Sequence, residues 1–320
     1  MVDFADGSRL LGTLETKTIR LVTENGKVDV PLGGVVSIDV GRDFEKVIVT
    51  TANGDRLTGV DASGSLKLNA IFGRVSIDLP SVRQVRVLPP VRLLPDKLKR
   101  GRILHLSFDV DGEAQTLDTC PKYNHGKVRG AVWTPFGKSG GAYEFDGQKD
   151  YIELGPTDLY QNQGELSGCA WVFRQERYFL ILSNYRGGSA YDGQFFFAVE
   201  GGGHLDVLMG QGPDQYVRYL SEEADLVPMN EWHHLAFSYN ERLGEGHRIK
   251  LYLDGKDIGR YVIQREGTGE SVLRNGDRLR IMAHRASGPN CFSRGKVDEV
   301  MLFNRALSAE DIRQIYDAQK

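Results

Sequence analysis

EWHHLAFSYN, residues 231–240, sets two histidines beside a tryptophan, residue types able to ligate metals or move protons. Strand side chains alternate between faces, so His233 lies with Leu235, Phe237 and Tyr239. His234 lies with Trp232, Ala236 and Ser238 on the other side. Rings on opposite faces cannot share one ion, and no HExxH spacing or third ligand accompanies them. The pair is expected to be core, packed and hydrogen-bonded. Asp298 and Glu299 in VDEV are neighbours and are expected to point apart for the same reason. No GxSxG elbow or phosphate-binding P-loop occurs. The chain is therefore expected to be no enzyme. Three cysteines, Cys120, Cys169 and Cys291, are too few for a disulfide scaffold, and an odd count leaves at least one thiol unpaired.

The elements that must position these groups are strands. Of 320 residues, 40% are apolar and 26% charged, a composition that supports a sizeable core. Thirty-eight glycines against eleven prolines suit the many turns of an all-β protein. A net charge of −3 gives no electrostatic case for nucleic acid or anionic membrane as partner. No segment approaches the roughly 20 apolar residues of a membrane span. The start, MVDFADGSRL, has no basic or apolar region of a signal peptide, so the chain is expected to be cytoplasmic or a fragment of an exported protein.

Residues 1–88 contain a repeat. Laying 6–40 over 53–87, an offset of 47 without gaps, gives ten identities in 35 positions. They are mostly glycines and aliphatics, such as Gly12/Gly59, Leu21/Leu68, Gly26/Gly73 and Val35/Val82. In the first copy SRLLGTL, TIRLVT, KVDVPL and VVSIDV read as strands, with a tight turn at Glu24–Gly26. Units this short cannot bury a face alone, so the copies are expected to pack together as one small barrel or sandwich. LPPVRLLPDKLKRGR follows, and 89–101 is expected to be an extended, basic linker.

From Ile103 the strands lengthen. Phe108-Asp109 ends the first, followed by Asp118, Asn124, Gly126, Gly141-Ala142 and Phe145-Asp146-Gly147. CAWVF (169–173), NEWHHLAFSYN (230–240), IKLYLDG (249–255) and GKVDEVMLFNRALSAEDIRQIY (295–316) come next. In this order they resemble the LamG-like jelly roll of the concanavalin A-like lectin/glucanase fold. Thr119-Cys120-Pro121 departs from the family's Ser-Ser-Gly. The resemblance implies a two-sheet jelly roll over 102–320 closed by a short helix. The residues agree: Ser308 can cap that helix with Asp311 at its third position, and Ile312, Ile315 and Tyr316 form its apolar stripe.

The resemblance also frames the chemistry. Glucanases of this fold carry Glu-x-Asp-x-x-Glu along one strand, and EEADLV at 222–227 lacks the second glutamate. If the first and closing strands pair as implied, Asp109 and Asp298 share one end with the loop bearing Asp118 and Asn124. These four are the expected Ca²⁺ ligands, in a structural role. Cys120 in that loop and Cys291 before the closing strand are a possible disulfide. Tyr185, Arg186, Tyr191 and Asp192 are the expected ligand-binding residues, because sugars need aromatic faces and polar partners. Tyr216 and Arg285 are weaker candidates. The chain is thus expected to be a recognition or adhesion protein for a glycan or protein surface. It would work extracellularly, in the periplasm or at the cell surface, as a fragment of an exported protein. The alternatives are a structural subunit that self-assembles through the N-terminal module, and a carbohydrate-active hydrolase or lyase.

Overall fold

The computed structural model describes residues 1–10, 12–41, 46–51, 55–70, 72–87, 94–120, 124–156, 164–185, 194–212, 214–267, 278–284 and 292–320. The chain divides into two compact units, Met1–Val91 and Arg92–Lys320.

The first unit opens with β1 (Val2–Phe4), β2 (Arg9–Leu10), β3 (Gly12–Leu14), β4 (Thr18–Thr23), β5 (Gly26–Pro31) and β6 (Val35–Val40). β7 (Val47–Thr51), β8 (Arg56–Asp61), β9 (Ser65–Ala70), β10 (Gly73–Asp78) and β11 (Val82–Arg86) follow. An eight-stranded sheet runs β2-β1-β11-β6-β7-β8-β4-β5, and a three-stranded sheet runs β10-β9-β3. The offset of 47 recurs in three dimensions. Shifted by it, the bounds of β4 and β5 become those of β9 and β10. The buried core pairs Val2 with Val49, Ile19 with Leu66, Leu21 with Leu68, Val30 with Ile77, Leu32 with Leu79, Val35 with Val82 and Ile38 with Val85. Strand pairing crosses between copies: β4 lies on β8, and β9 on β3. A Cβ on Gly59 would meet the Val22 carbonyl at 2.8 Å, and one on Gly12 the Asn69 carbonyl at 2.9 Å. Both positions stay glycine because another strand's backbone crosses there.

The second unit contains β12 (Arg102–Leu106), β13 (Gln115–Thr116), β14 (Gly126–Arg129), β15 (Val132–Thr134), β16 (Ala142–Asp146) and β17 (Tyr151–Pro156). Its middle strands are β18 (Glu165–Arg174), β19 (Phe179–Ser183), β20 (Phe195–Val199), β21 (Leu205–Gly212), β22 (Gln215–Ser221) and β23 (Trp232–Asn240). β24 (Ile249–Leu253), β25 (Lys256–Asp257), β26 (Tyr261–Glu266), β27 (Arg278–Ile281) and β28 (Arg294–Phe303) complete it. One sheet runs β15-β16-β28-β18-β23-β24-β25, with β12 also on β28. The other runs β13-β14-β17-β27-β19-β20-β21-β22-β26. Their facing sides enclose the main core, which includes Phe145, Phe179, Phe195, Phe197 and Phe237. This is the expected all-β, two-sheet sandwich.

The terminal helix, α2 (Ala309–Gln319), begins with a capping box between Ser308 and Asp311, as its sequence predicts. It covers the back of the first sheet through Ile312 and Ile315. The segment expected to be linker differs. Residues 96–99 form the short helix α1 (Asp96–Lys99), and Leu94 and Leu98 are buried with Met301, Phe303 and Leu307. Arg305 also donates to the carbonyls of Lys97 and Arg100. Two leucines among the basic residues give this stretch an apolar side, so 94–101 belong to the second unit.

His233 and His234 part as alternation requires. His233 bonds Asp254 at 2.9 Å through Nδ1. His234 is fully buried under α2, edge-on to Trp171, and neither ring nitrogen has a hydrogen-bond partner. Its core role is packing alone, without the expected hydrogen bond. Burial lowers its pKa to about 4, so the ring stays neutral.

Candidate functional site

In β19–β22 one set of alternating side chains enters the main core, and the other turns away from it. Antiparallel partners point to the same face, so register defines a row across the sheet. It runs Glu153, Arg280, Ser183, Phe196, Leu208, Arg218 and Arg265. Leu180, Phe196, Ala198 and Leu208 form a second apolar cluster here, with Tyr178, Tyr185 and Tyr216 packed on it. Tyr185 stands edge-on to Phe196 at 5.6 Å and to His284 at 5.3 Å. His284 is oriented at both nitrogens, by Ser183 Oγ at 2.7 Å and Tyr178 Oη at 2.5 Å. Ser183 is fully buried and also accepts from the Tyr185 amide, so it orients the His284 ring and fixes the backbone at Tyr185.

Charge is built into the same face. Arg218 grips Asp206 with Nε at 3.1 Å and Nη2 at 2.6 Å. Its guanidinium also lies 5.4 Å from the Phe196 ring centre. Asp206 is 1% exposed, and burial outweighs the guanidinium, pushing its carboxyl up to about 6. Arg265 lies over Tyr216 at 5.2 Å. Aromatic edges and faces beside guanidinium groups can stack on sugar rings or apolar side chains and donate to oxygen acceptors.

The profile of the laminin G-type family described as concanavalin A-like lectin/glucanases superfamily (Laminin_G_3) matches residues 146–313. The chain belongs to the concanavalin A-like lectin/glucanases superfamily. Solved structures agree on the fold. The binding domain of Paraclostridial Mosquitocidal Protein 1 superposes with a TM-score of 0.53 at 13% identity, covering 69% of this chain and 53% of that one. The botulinum neurotoxin serotype D ligand binding domain, in complex with N-acetylneuraminic acid, gives 0.51 at 13% identity, covering 70% and 52%. The chain thus spans about half the length of these structures. No curated protein sequence matches it.

Of the ligand residues expected from the superfamily resemblance, Tyr185 sits in the aromatic cluster. Arg186, Tyr191 and Asp192 lie outside the described residues, as does Arg285. Tyr216 joins the cluster. Tyr178, Phe196, Asp206, Arg218 and His284 were not foreseen, because register across separate strands unites them. A polar residue at an outward position of an otherwise apolar strand, as in LDVLMG or YVRYL, was the available signal.

Of the four residues expected to hold calcium, Asp118 and Asn124 are tied to the backbone of their loop and of β12, and Asp298 lies near Asp109. Asp118 accepts the backbone amides of His105 and Cys120 through Oδ1 and of Asn124 through Oδ2, all within 2.8–2.9 Å. Asn124 in turn donates to the Ile103 carbonyl. Asp298 instead accepts the Ser139 and Glu299 amides, near Asp109. Among the described residues no three His, Cys, Asp or Glu side chains are grouped to hold a metal. A loop-tying carboxylate explains Asp118. Asp118→Ala should therefore cost about 2 kcal/mol, equally in EDTA and in calcium, by thermal unfolding. A calcium-dependent rise in the wild-type midpoint that the variant lacks would show that the ion binds there.

One expectation changes. Asp298 and Glu299 do not simply point apart: Glu299 has φ 51°, and the register slips between Cys169 and Trp171, so a bulge interrupts alternation. Both are buried, Glu299 held by His105 and Gln319. Cys120 is a buried thiol pushed up to about 11 by burial. Cys291 lies outside the described residues. Cys169 is also buried.

Proposed function

We propose that the second unit is a non-catalytic recognition domain that binds a glycan or a protein surface through the outward face of its β19–β22 sheet. The observation that carries this is the cluster of Tyr178, Tyr185, Phe196, Tyr216 and His284 beside the Asp206–Arg218 pair. Aromatic side chains with one apolar and one polar end recur where a ligand must be both stacked and hydrogen-bonded. Superfamily membership is compatible with a lectin-like role, and the neurotoxin relative's N-acetylneuraminic acid makes sialylated glycans a first choice of probe. Work outside the cytoplasm accords with this reading. Among the described residues no helix is long and apolar enough to cross a membrane.

The test is a glycan array, sialylated glycans included, followed by titration calorimetry on any hit. Tyr185→Ala should weaken binding about tenfold or more while leaving the unfolding midpoint within a few degrees. Binding unchanged by Tyr185→Ala would move the site off this face. Glycosidic cleavage during incubation would instead favour the hydrolase reading.

A further inference from the structure

β5 ends its sheet, and residues 26–29 are exposed along it. An uncovered edge offers unpaired amides and carbonyls to another strand. Which residues offer them follows from β4. Arg20 uses its own backbone on the opposite side, accepting the Ala62 amide at 2.8 Å and donating to Ser63 Oγ at 2.6 Å. Arg20 pairs with Asp29, so that pair is a non-hydrogen-bonded one. The amide and carbonyl of Asp29 therefore face the free edge, as do those of Lys27 two residues away. Pro31 has the same parity but no amide.

We infer that β5 is a self-pairing edge through which two copies of this chain associate. In an antiparallel pair centred on Val28, Lys27 of each copy faces Asp29 of the other. The outward backbone groups of both residues meet in two hydrogen-bonded pairs. Val28, 36% exposed, meets its own copy between them. Centring on Lys27 or Asp29 puts like charges opposite each other, and the latter also sets Lys27 against Pro31. A shift by one residue matches outward groups to inward ones. Centring on Val30 sets Asp29 against Pro31, so one register remains among those centred on residues 27–30. Exposed Val22 and Val60, paired on the neighbouring strands, lie on the other face, beside Lys27 and Asp29.

The equivalent edge, β10, is less suited. In the same register Arg74 would face the uncharged Ser76, whereas on β5 Lys27 faces Asp29, a carboxylate that Arg20 of its own chain also holds at 2.6 Å. The association goes beyond recognition by the second unit and does not depend on it. Its consequence is two recognition units in one particle, and hence avidity for a repeated ligand.

Sedimentation velocity of the full chain over a range of concentrations tests this. The wild type should dimerise reversibly. Lys27→Glu and Asp29→Lys should each raise the dissociation constant about tenfold, since each sets like charges opposite one another twice. An equimolar mixture of the two variants should dimerise again, because every introduced charge then faces its opposite. A wild type that stays monomeric, single variants that dimerise as well as it does, or a mixture that fails to associate would each overturn the inference.

Discussion

Arg218→Met is expected to destabilise the second unit by about 3–5 kcal/mol at pH 7.5, because it strands a buried carboxylate. Asp206 is 1% exposed and its direct cation is Arg218, which holds it through both Nε and Nη2. Even with that cation its carboxyl sits near 6, so the pair balances a large desolvation cost against a large attraction. Removing one partner leaves the cost and takes the attraction. The double variant Asp206→Leu with Arg218→Met strands nothing and should recover most of the loss. Urea unfolding of both variants measures this directly. At pH 5 the deficit of the single variant should shrink, because Asp206 can take up a proton instead. A single variant as stable as the wild type at pH 7.5 would show that the pair is not maintained by charge.

Local features were legible in sequence, and those made by long-range register were not. The strand bounds of the repeat, the capping box at Ser308 and the opposed histidines depend on neighbours within a few residues. So did the matched core pairs from Ile19/Leu66 to Ile38/Val85, which follow once the offset is known. The packing of Leu94 and Leu98 was hidden by flanking prolines and basic residues that read as solvated chain. The site was legible at Tyr185, through its loop setting, and more weakly at Tyr216. Asp206 pairs with Leu220 in register, while Arg218 sits opposite Leu208, so their contact is diagonal and across strands. No periodicity announces such a contact. Alternation itself misled at Glu299, where a bulge breaks the rule.

That bulge helps create the acid cluster whose titration gives the second large effect. Asp109→Asn should be about 3 kcal/mol more stable than the wild type at pH 7.5, and the gap should close as pH falls toward 4. Burial is the main cause that pushes Asp109 up to about 6, and one of its oxygens, Oδ1, is buried without a hydrogen-bond partner. Asp298 is raised in the same way by burial and by Glu299. The folded protein thus holds protons that the unfolded chain, with carboxylates near 3.8, releases. Stability from Asp109 is complete below about pH 3.8 and lost as pH rises through about 6. His234 has the opposite sign. Its unfolded imidazole protonates below 6.5, while the buried ring resists to about 4, so its contribution is lost as pH falls through that range. The two effects oppose each other and keep the wild-type profile shallow. His234→Phe should therefore steepen the gain in stability from pH 7.5 to 5 by about 2 kcal/mol relative to the wild type. A calcium ion bound by Asp109 and Asp298 would reverse the first prediction, since the cation would hold both carboxylates charged and Asp109→Asn would then destabilise.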